Sequence, residues 1–535
     1  MKLIINFYLL LTTLLLTLFI YAPVLAEEQK KEAPEETVPS LTITEDKVNL
    51  PLKSTLILAL KNNLDIKFTS LNPKASETDI LREQGAFDTT FTSQLIKRQE
   101  RKQTGFFLMG AGDTTNFQNT SDLETGLQKK FTAGTLAELK LINTKSETDN
   151  DFAGLDPEYS GEVELSLTQP LLKDFGISIG ESQIKIAKLN FESSENEFKQ
   201  NVMDILYQVE AHYWDLMFRI EDLSSKRKSL QSAEDLEREF KIKIEAGALA
   251  PIEIYQAKAE VALRKQDVIV AESLVKRSED ELKASLNLYE DETYWNVSLI
   301  PTDKPEIGII DDNLLEIIAV ALEKRPDFKQ AKLNLQASNI EVKYTKNQTL
   351  PRVDFVGSVG TTGLAGRPQD SGGMFGGEGE PSPWDGHWDD VYDSMTDGDY
   401  YKYSVGVKIE FPLENRLAKS QYSRAKIQKM QSITNIKNTE NIIIKEVRDA
   451  VRKFNTTKEV IASATASLRL TKEKRNAEEK KYEVGMSTTH DVLEFQDDLA
   501  EAESTLAFAQ TEHAKAAANL ARTKGVLLEE KGLSL

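Results

Sequence analysis

Two carboxylates, Asp491 and Glu494, stand three residues apart just beyond Gly485, in the stretch "EVGMSTTHDVLEF". In a helix that spacing puts both on one face, where they can gather cations. Asp491 also follows Thr488 at the spacing of a capping box, in which an acid completes a helix start whatever surrounds it. A second break, at Gly247 in "EAGALAPIEIYQA", is followed by Glu253. Placing Gly247 on Gly485, 238 positions on, puts Glu253 on Asp491, Ile254 on Val492 and Glu260 on Asp498. Beyond these acids the chain offers little chemistry. His212, His387, His490 and His513 are scattered, and no metalloprotease, nucleophile-elbow or phosphate-loop motif occurs. Zero cysteines exclude thiolate catalysis, disulfides and cysteine-ligated metal. No catalytic residue, cofactor or metal site is expected, and the chain does not read as an enzyme.

Both glycines interrupt long helical runs. Residues 178–245 contain no proline and only Gly180, and residues 414–483 contain neither glycine nor proline. In the first run Val202, Leu206, Val209, Tyr213, Leu216, Ile220 and Leu223 recur at alternating spacings of four and three, the seam of a coiled coil. The second run repeats it with Ile443, Val447, Ala450, Phe454, Thr457, Ile461, Ala464 and Leu468. The shift of 238 brings the seams into register, with Val209 on Val447 and Leu216 on Phe454. Another pairing, 262 positions apart, aligns "ALKNNLDIKF" from Ala59 with "ALEKRPDFKQ" from Ala321. The chain therefore reads as two repeats, residues 50–287 and 311–530, joined by a connector at 288–310. Each repeat runs helix, β-rich segment, very long helix, glycine break, helix.

A chain of 535 residues, 40% of them apolar, can build more than one packed unit. Its net charge of −20 without a basic tract argues against a nucleic-acid partner. Residues 1–26, with Lys2 ahead of a long apolar run that ends in Ala26, read as a cleaved signal peptide, and residues 27–49 as a flexible leader. Beyond them no stretch could cross a bilayer as a helix, so an exported chain that enters a membrane must use strands closed into a barrel. Strand alternation appears in "FDTTFTSQLIKRQ", "LETGLQKKFTAGTLAELKLINT" and "SGEVELSLTQPLL", with "TAGT" as a tight turn, and again in "RVDFVGSVG" and "YKYSVGVKIEF". That gives four or six strands per chain. Four cannot close alone, whereas three copies of four make twelve. The stretch 367–400 holds nine acidic residues and one basic, and reads as a solvated loop facing the exterior.

These features together resemble the TolC family of outer-membrane efflux channels over residues 50–530. "LTQPLLKDFG" from Leu167 looks like the family's strand-to-helix junction, with "IEFPLENRLAKSQ" from Ile409 as its partner, and "YEVGMSTTHDVLEFQDDLAEAESTLAFAQ" is similar to the second helical hairpin tip. The resemblance implies a mainly α fold with membrane β: a trimeric α-helical periplasmic barrel continuous with a twelve-stranded transmembrane β-barrel, built of two internal structural repeats. It implies a homotrimer in outer-membrane lipid that passes substrates from an inner-membrane pump and a periplasmic adaptor, or membrane fusion protein, to the exterior. The glycine breaks become the turns of the tunnel wall. Gly247, Ala248, Leu249, Gly485, Met486 and Ser487 become adaptor docking positions, and Asp491, Glu494 and Glu253 a periplasmic gate of crowded carboxylates. The basic residue that the family often carries after the second-tip glycine is replaced here by Met486, Ser487 and Thr488. The other reading of the same seams is a structural or adhesive trimeric coiled-coil protein of the envelope. The substrate is not written in the sequence.

Overall fold

The computed structural model describes residues 43–44, 46–103, 115–150, 153–247, 250–308, 313–369, 382–484 and 486–535. The expected signal peptide lies outside the described residues. Two compact units emerge, each drawn from both halves of the chain. One holds residues 77–188 and 336–430, the other residues 43–76, 189–335 and 431–535.

The first unit is built on a sheet. Its strands are β3 (Thr90–Gln103), β4 (Thr115–Lys130), β5 (Leu136–Thr148), β6 (Leu155–Pro170), β8 (Arg352–Pro368) and β9 (Tyr401–Glu410). They lie in the order β3-β4-β5-β6-β8-β9, every neighbour antiparallel. Four strands come from the first half of the chain and two from the second, so the sheet has six among the described residues. Successive side chains on a strand alternate between faces, and directly paired residues share one. The register therefore sorts the sheet. One row across all six strands reads Phe91, Leu127, Leu139, Leu165, Val359 and Tyr403. A row on the opposite face reads Thr92, Gly126, Lys140, Glu164, Gly360 and Lys402, and there Lys402 pairs with Glu162 and Glu164.

The turn between β4 and β5 is held tightly. Gly134 has φ +95°, and a side chain on Gly180 would bring its Cβ to 1.9 Å from the Thr132 carbonyl oxygen. This close approach accounts for the one glycine in the first long helical run. The acidic stretch departs from expectation. Residues Trp388–Asp397 form a helix whose Val391 and Met395 are buried on the sheet beside Ala365, Tyr159 and Val163. These sheet residues lie on the apolar face. Gly161 and Gly363, paired there, leave room for the helix: a Cβ on Gly363 would stand 2.1 Å from the Val391 carbonyl oxygen. Trp388, Val391, Tyr392 and Met395 form the apolar stripe that seats it, while Asp389, Asp390, Asp393 and Asp397 stay exposed.

The second unit is mostly helical. The short strands β1 (Ile43–Thr44), β2 (Lys47–Leu50) and β7 (Ser298–Pro301) form its small sheet, β2 pairing with β7 in parallel. The expected leader of 27–49 is thus ordered at its end, because Val48 and Leu50 are fully buried and their backbone is paired. Helices α1 (Leu52–Asn62) and α2 (Leu64–Thr69) meet at Asn63, with φ −56° and ψ 128°; α7 (Leu314–Lys324) and α8 (Pro326–Gln348) meet at Arg325, with φ −58° and ψ 128°. Between these come α3 (Leu71–Gln84), α4 (Ile177–Gly180), α5 (Ser182–Glu245) and α6 (Glu253–Ser285); after them come α9, the helix on the sheet, α10 (Arg416–Glu483), α11 (Thr489–Lys524) and α12 (Leu527–Lys531).

At 1.5 Å per residue the 64 residues of α5 span about 96 Å. The seams are buried as their spacing demands. Val202, Leu206, Val209, Tyr213 and Leu216 join one core with Leu50, Leu282 and Leu299; Ile443, Val447, Ala450 and Phe454 join another with Ile317, Ala321 and Leu520. Burying each large side chain of this kind contributes about 1.5–3 kcal/mol. The Tyr213 hydroxyl ties the small sheet to α5. It lies 2.9 Å from the Leu50 carbonyl and 2.8 Å from Asp303 Oδ2, and it accepts from the Thr302 and Asp303 amides.

Candidate functional site

The two breaks lie at the ends of the long helices of the second unit. At the first, α5 ends at Glu245, the Ala246 amide donates to the Ile242 carbonyl, and Gly247 takes φ +74°. That left-handed angle costs an L side chain free energy even though nothing lies within 4 Å of where its Cβ would stand. Ala248 and Leu249 lie outside the described residues. Glu253 then opens α6 half-buried, behind Ile252, whose side chain makes no cap.

At the second break α10 ends at Glu483, and the Met486 amide donates to the Lys481 carbonyl at 2.8 Å. Gly485 lies outside the described residues. Ser487 is half-buried and, with Lys481, holds the Glu478 carboxyl below its ordinary range by hydrogen bonding. Thr488 and Asp491 complete the capping box. The Thr488 hydroxyl accepts from the Asp491 amide at 3.3 Å, and Asp491 Oδ2 accepts from the Thr488 amide at 3.1 Å and its hydroxyl at 2.6 Å. Those bonds, the hydroxyl's foremost, hold the Asp491 carboxyl below its ordinary range. Glu494 has no part in the cap and is exposed.

An apolar cluster joins the two helix starts. Leu236, Phe240, Ala257 and Leu493 are buried together, with Ile254 and Tyr482 against them. Glu253 adjoins Ile254 and Glu494 adjoins Leu493 in the chain, so the expected gate acids sit on neighbouring helix starts. Outside this core the ends present apolar side chains to solvent: Ile252, Tyr255, Val484 and Met486 are each at least two-thirds exposed.

Sequence reasoning missed the ties across the tip. Arg264 on α6 pairs closely with Asp497 on α11 and with Glu260 on its own helix, its side chain only 12% exposed. Lys243 Nζ lies 3.3 Å from the Tyr482 hydroxyl, and Lys474 Nζ stands 3.9 Å over the Phe495 ring. The run of Glu260, Arg264 and Asp267 at helical spacings was visible; its partner across the fold was not. Among the described residues no helix is long and apolar enough to cross a membrane, and no group of His, Asp and Glu suits a metal ion.

Residues 317–526 match the model of the outer membrane efflux protein family. The fold extends the likeness. The chain is similar to the outer membrane channel CmeC of Campylobacter jejuni at 16% identity and a TM-score of 0.59, with 90% of each chain covered. It is similar to the outer membrane protein VceC of Vibrio cholerae at 13% identity and a TM-score of 0.60, with 89% of this chain and 96% of that one covered. A third likeness is to the open state of the MtrE channel of Neisseria gonorrhoeae, at 16% identity and a TM-score of 0.59, with 89% of each covered. At such identities the likeness establishes the fold. No curated protein matches the sequence.

Proposed function

We propose that three copies form an exit duct across the outer membrane, taking substrates from an inner-membrane pump through a periplasmic adaptor and releasing them outside. The observation that carries this reading is the split sheet: one face uncharged along a row of six strands, the other charged, in a chain whose described helices cannot cross a bilayer. Without such a helix, only closed strands could pair every backbone group in lipid, and one chain has too few to enclose a channel. In this reading residues 50–287 and 311–530 are repeats that supply matching helical hairpins to a tunnel wall. The exposed apolar ends at Ile252, Tyr255, Val484 and Met486 suit an adaptor's helical tips, with Gly247, Ala248, Leu249, Gly485 and Ser487 allowing close backbone approach.

Asp491, Glu494 and Glu253 line the gate. Asp491 serves its helix first; Glu494, uncapped and exposed, is the better gate acid. The protein is a passage and performs no catalysis. Purified trimers in a planar bilayer should conduct ions and be blocked by a trivalent cation, and Asp491→Ala with Glu494→Ala should relieve the block while leaving the trimer intact. Trimers without conductance would overturn the duct; unchanged block in the double variant would confine both acids to local structure.

A further inference from the structure

The strand-bearing unit holds more wall than a twelve-stranded trimer needs. Its sheet is continuous, and among the described residues the two ends of the strand order, β3 and β9, are the edges left for another chain. Five antiparallel steps separate them, so they run in opposite directions, and joining β3 of one copy to β9 of the next repeats the pairing already used throughout.

Closing only twelve strands requires β5 at the edge. That would strip β4 from a ladder unbroken between Gln118–Thr148 and Lys130–Leu136, and lipid offers no partner to the backbone groups left behind. The side chains agree with inclusion. Phe91 and Leu127, on the outermost strands β3 and β4, continue the apolar row of Leu165 and Val359, while Gln94 and Glu124 continue the polar face of Glu162. The turn that joins β4 to β5 is also fixed against the chain at Gly180.

We propose that all six strands enter the wall, so that three copies close an eighteen-stranded barrel whose bore admits bulky, hydrated, polar cargo. The proposal rests on the trimeric duct reading above. With strands about 4.8 Å apart and tilted about 40°, the backbone radius rises from about 12 Å at twelve strands to about 18 Å at eighteen. Side chains about 5 Å deep leave a bore of about 13 Å radius, where twelve strands leave about 7 Å. Helix α9 sits on the apolar face and takes nothing from that bore. Charges of both signs line it: Glu124, Lys140, Glu164 and Lys402.

The absence of native cysteine makes the test direct. Ser93→Cys or Leu95→Cys on β3 is combined with Val405→Cys or Val407→Cys on β9, and intact trimers are oxidised. The expected result is covalent dimers and trimers through β3–β9 links. Links from Val405→Cys or Val407→Cys to Leu139→Cys on β5 in their place, in intact trimers, would overturn the eighteen-stranded wall. A protein that is monomeric in mild detergent would instead overturn the trimeric duct, and this proposal with it. For the cargo, a neutral polymer of about 10 Å radius added on the exterior side should enter and lower open-channel conductance, since it fits only the wider bore. Exclusion of that polymer from β3–β9-linked trimers would overturn the cargo class.

Discussion

The two tips carry the same break and secure it differently. After Gly247 the next helix starts at Glu253 behind Ile252 with no side-chain cap, and Ile252 and Tyr255 face solvent. Beyond residue 485 the next helix starts at Thr489 behind a complete capping box between Thr488 and Asp491. The first tip is held by the apolar cluster behind it; the second has that cluster and its own hydrogen bonds. Both ends expose apolar side chains, Ile252 and Tyr255 at the first and Val484 and Met486 at the second, but only the second starts its helix with a side-chain cap.

Four measurements break or sharpen this contrast. Phe240→Ala should have the largest effect, about 3–5 kcal/mol, because the ring is fully buried in the cluster that serves both tips. Amide hydrogen exchange should then rise at both helix starts, erasing the difference. Gly247→Ala should cost about 1–2 kcal/mol through the left-handed angle alone and loosen only the first tip. Thr488→Ala should cost about 1 kcal/mol and loosen only the second, with exchange rising at residues 489–491 and not at 253–255.

The smallest effect is acid. Hydrogen bonds from Thr488 depress the Asp491 carboxyl, so its contribution is complete above the ordinary carboxylate value and fades as pH falls through the depressed one. Acid should therefore loosen the second tip, and carboxyl NMR should show Asp491 titrating higher once Thr488 is alanine.

Much of this was legible beforehand. A seam at spacings of four and three fixes which face of a long helix is buried, and Val209, Leu216, Val447 and Phe454 all obey it. Each strand segment was visible because an apolar face set against a polar one imposes a period of two. The strand number was not legible: "TAGT" marks a turn but not whether its strands join the sheet, which depends on the pairing of β5 with the distant β6. Helix α9 was hidden by composition. Its acids stand out, while the stripe of Trp388, Val391, Tyr392 and Met395 gains meaning only against the notch at Gly161 and Gly363. At the site, the cap at Thr488 and Asp491 was local and readable. The pairing of Arg264 with Asp497 joins distant helices, and no spacing rule reaches that far.

The parallel pairing of β2 with β7 sets a timetable. The Leu52 amide donates to the Asp303 carboxylate 251 residues later, and the strand before it has its parallel partner only once Ser298–Pro301 has been made. Contacts this remote close slowly. Until then β2 has only β1 beside it, and Val48 and Leu50 lack the cover of Leu299, while more than two hundred residues follow. Long exposure of apolar segments invites aggregation, so the folding of this unit is most vulnerable until Ser298–Pro301 arrives.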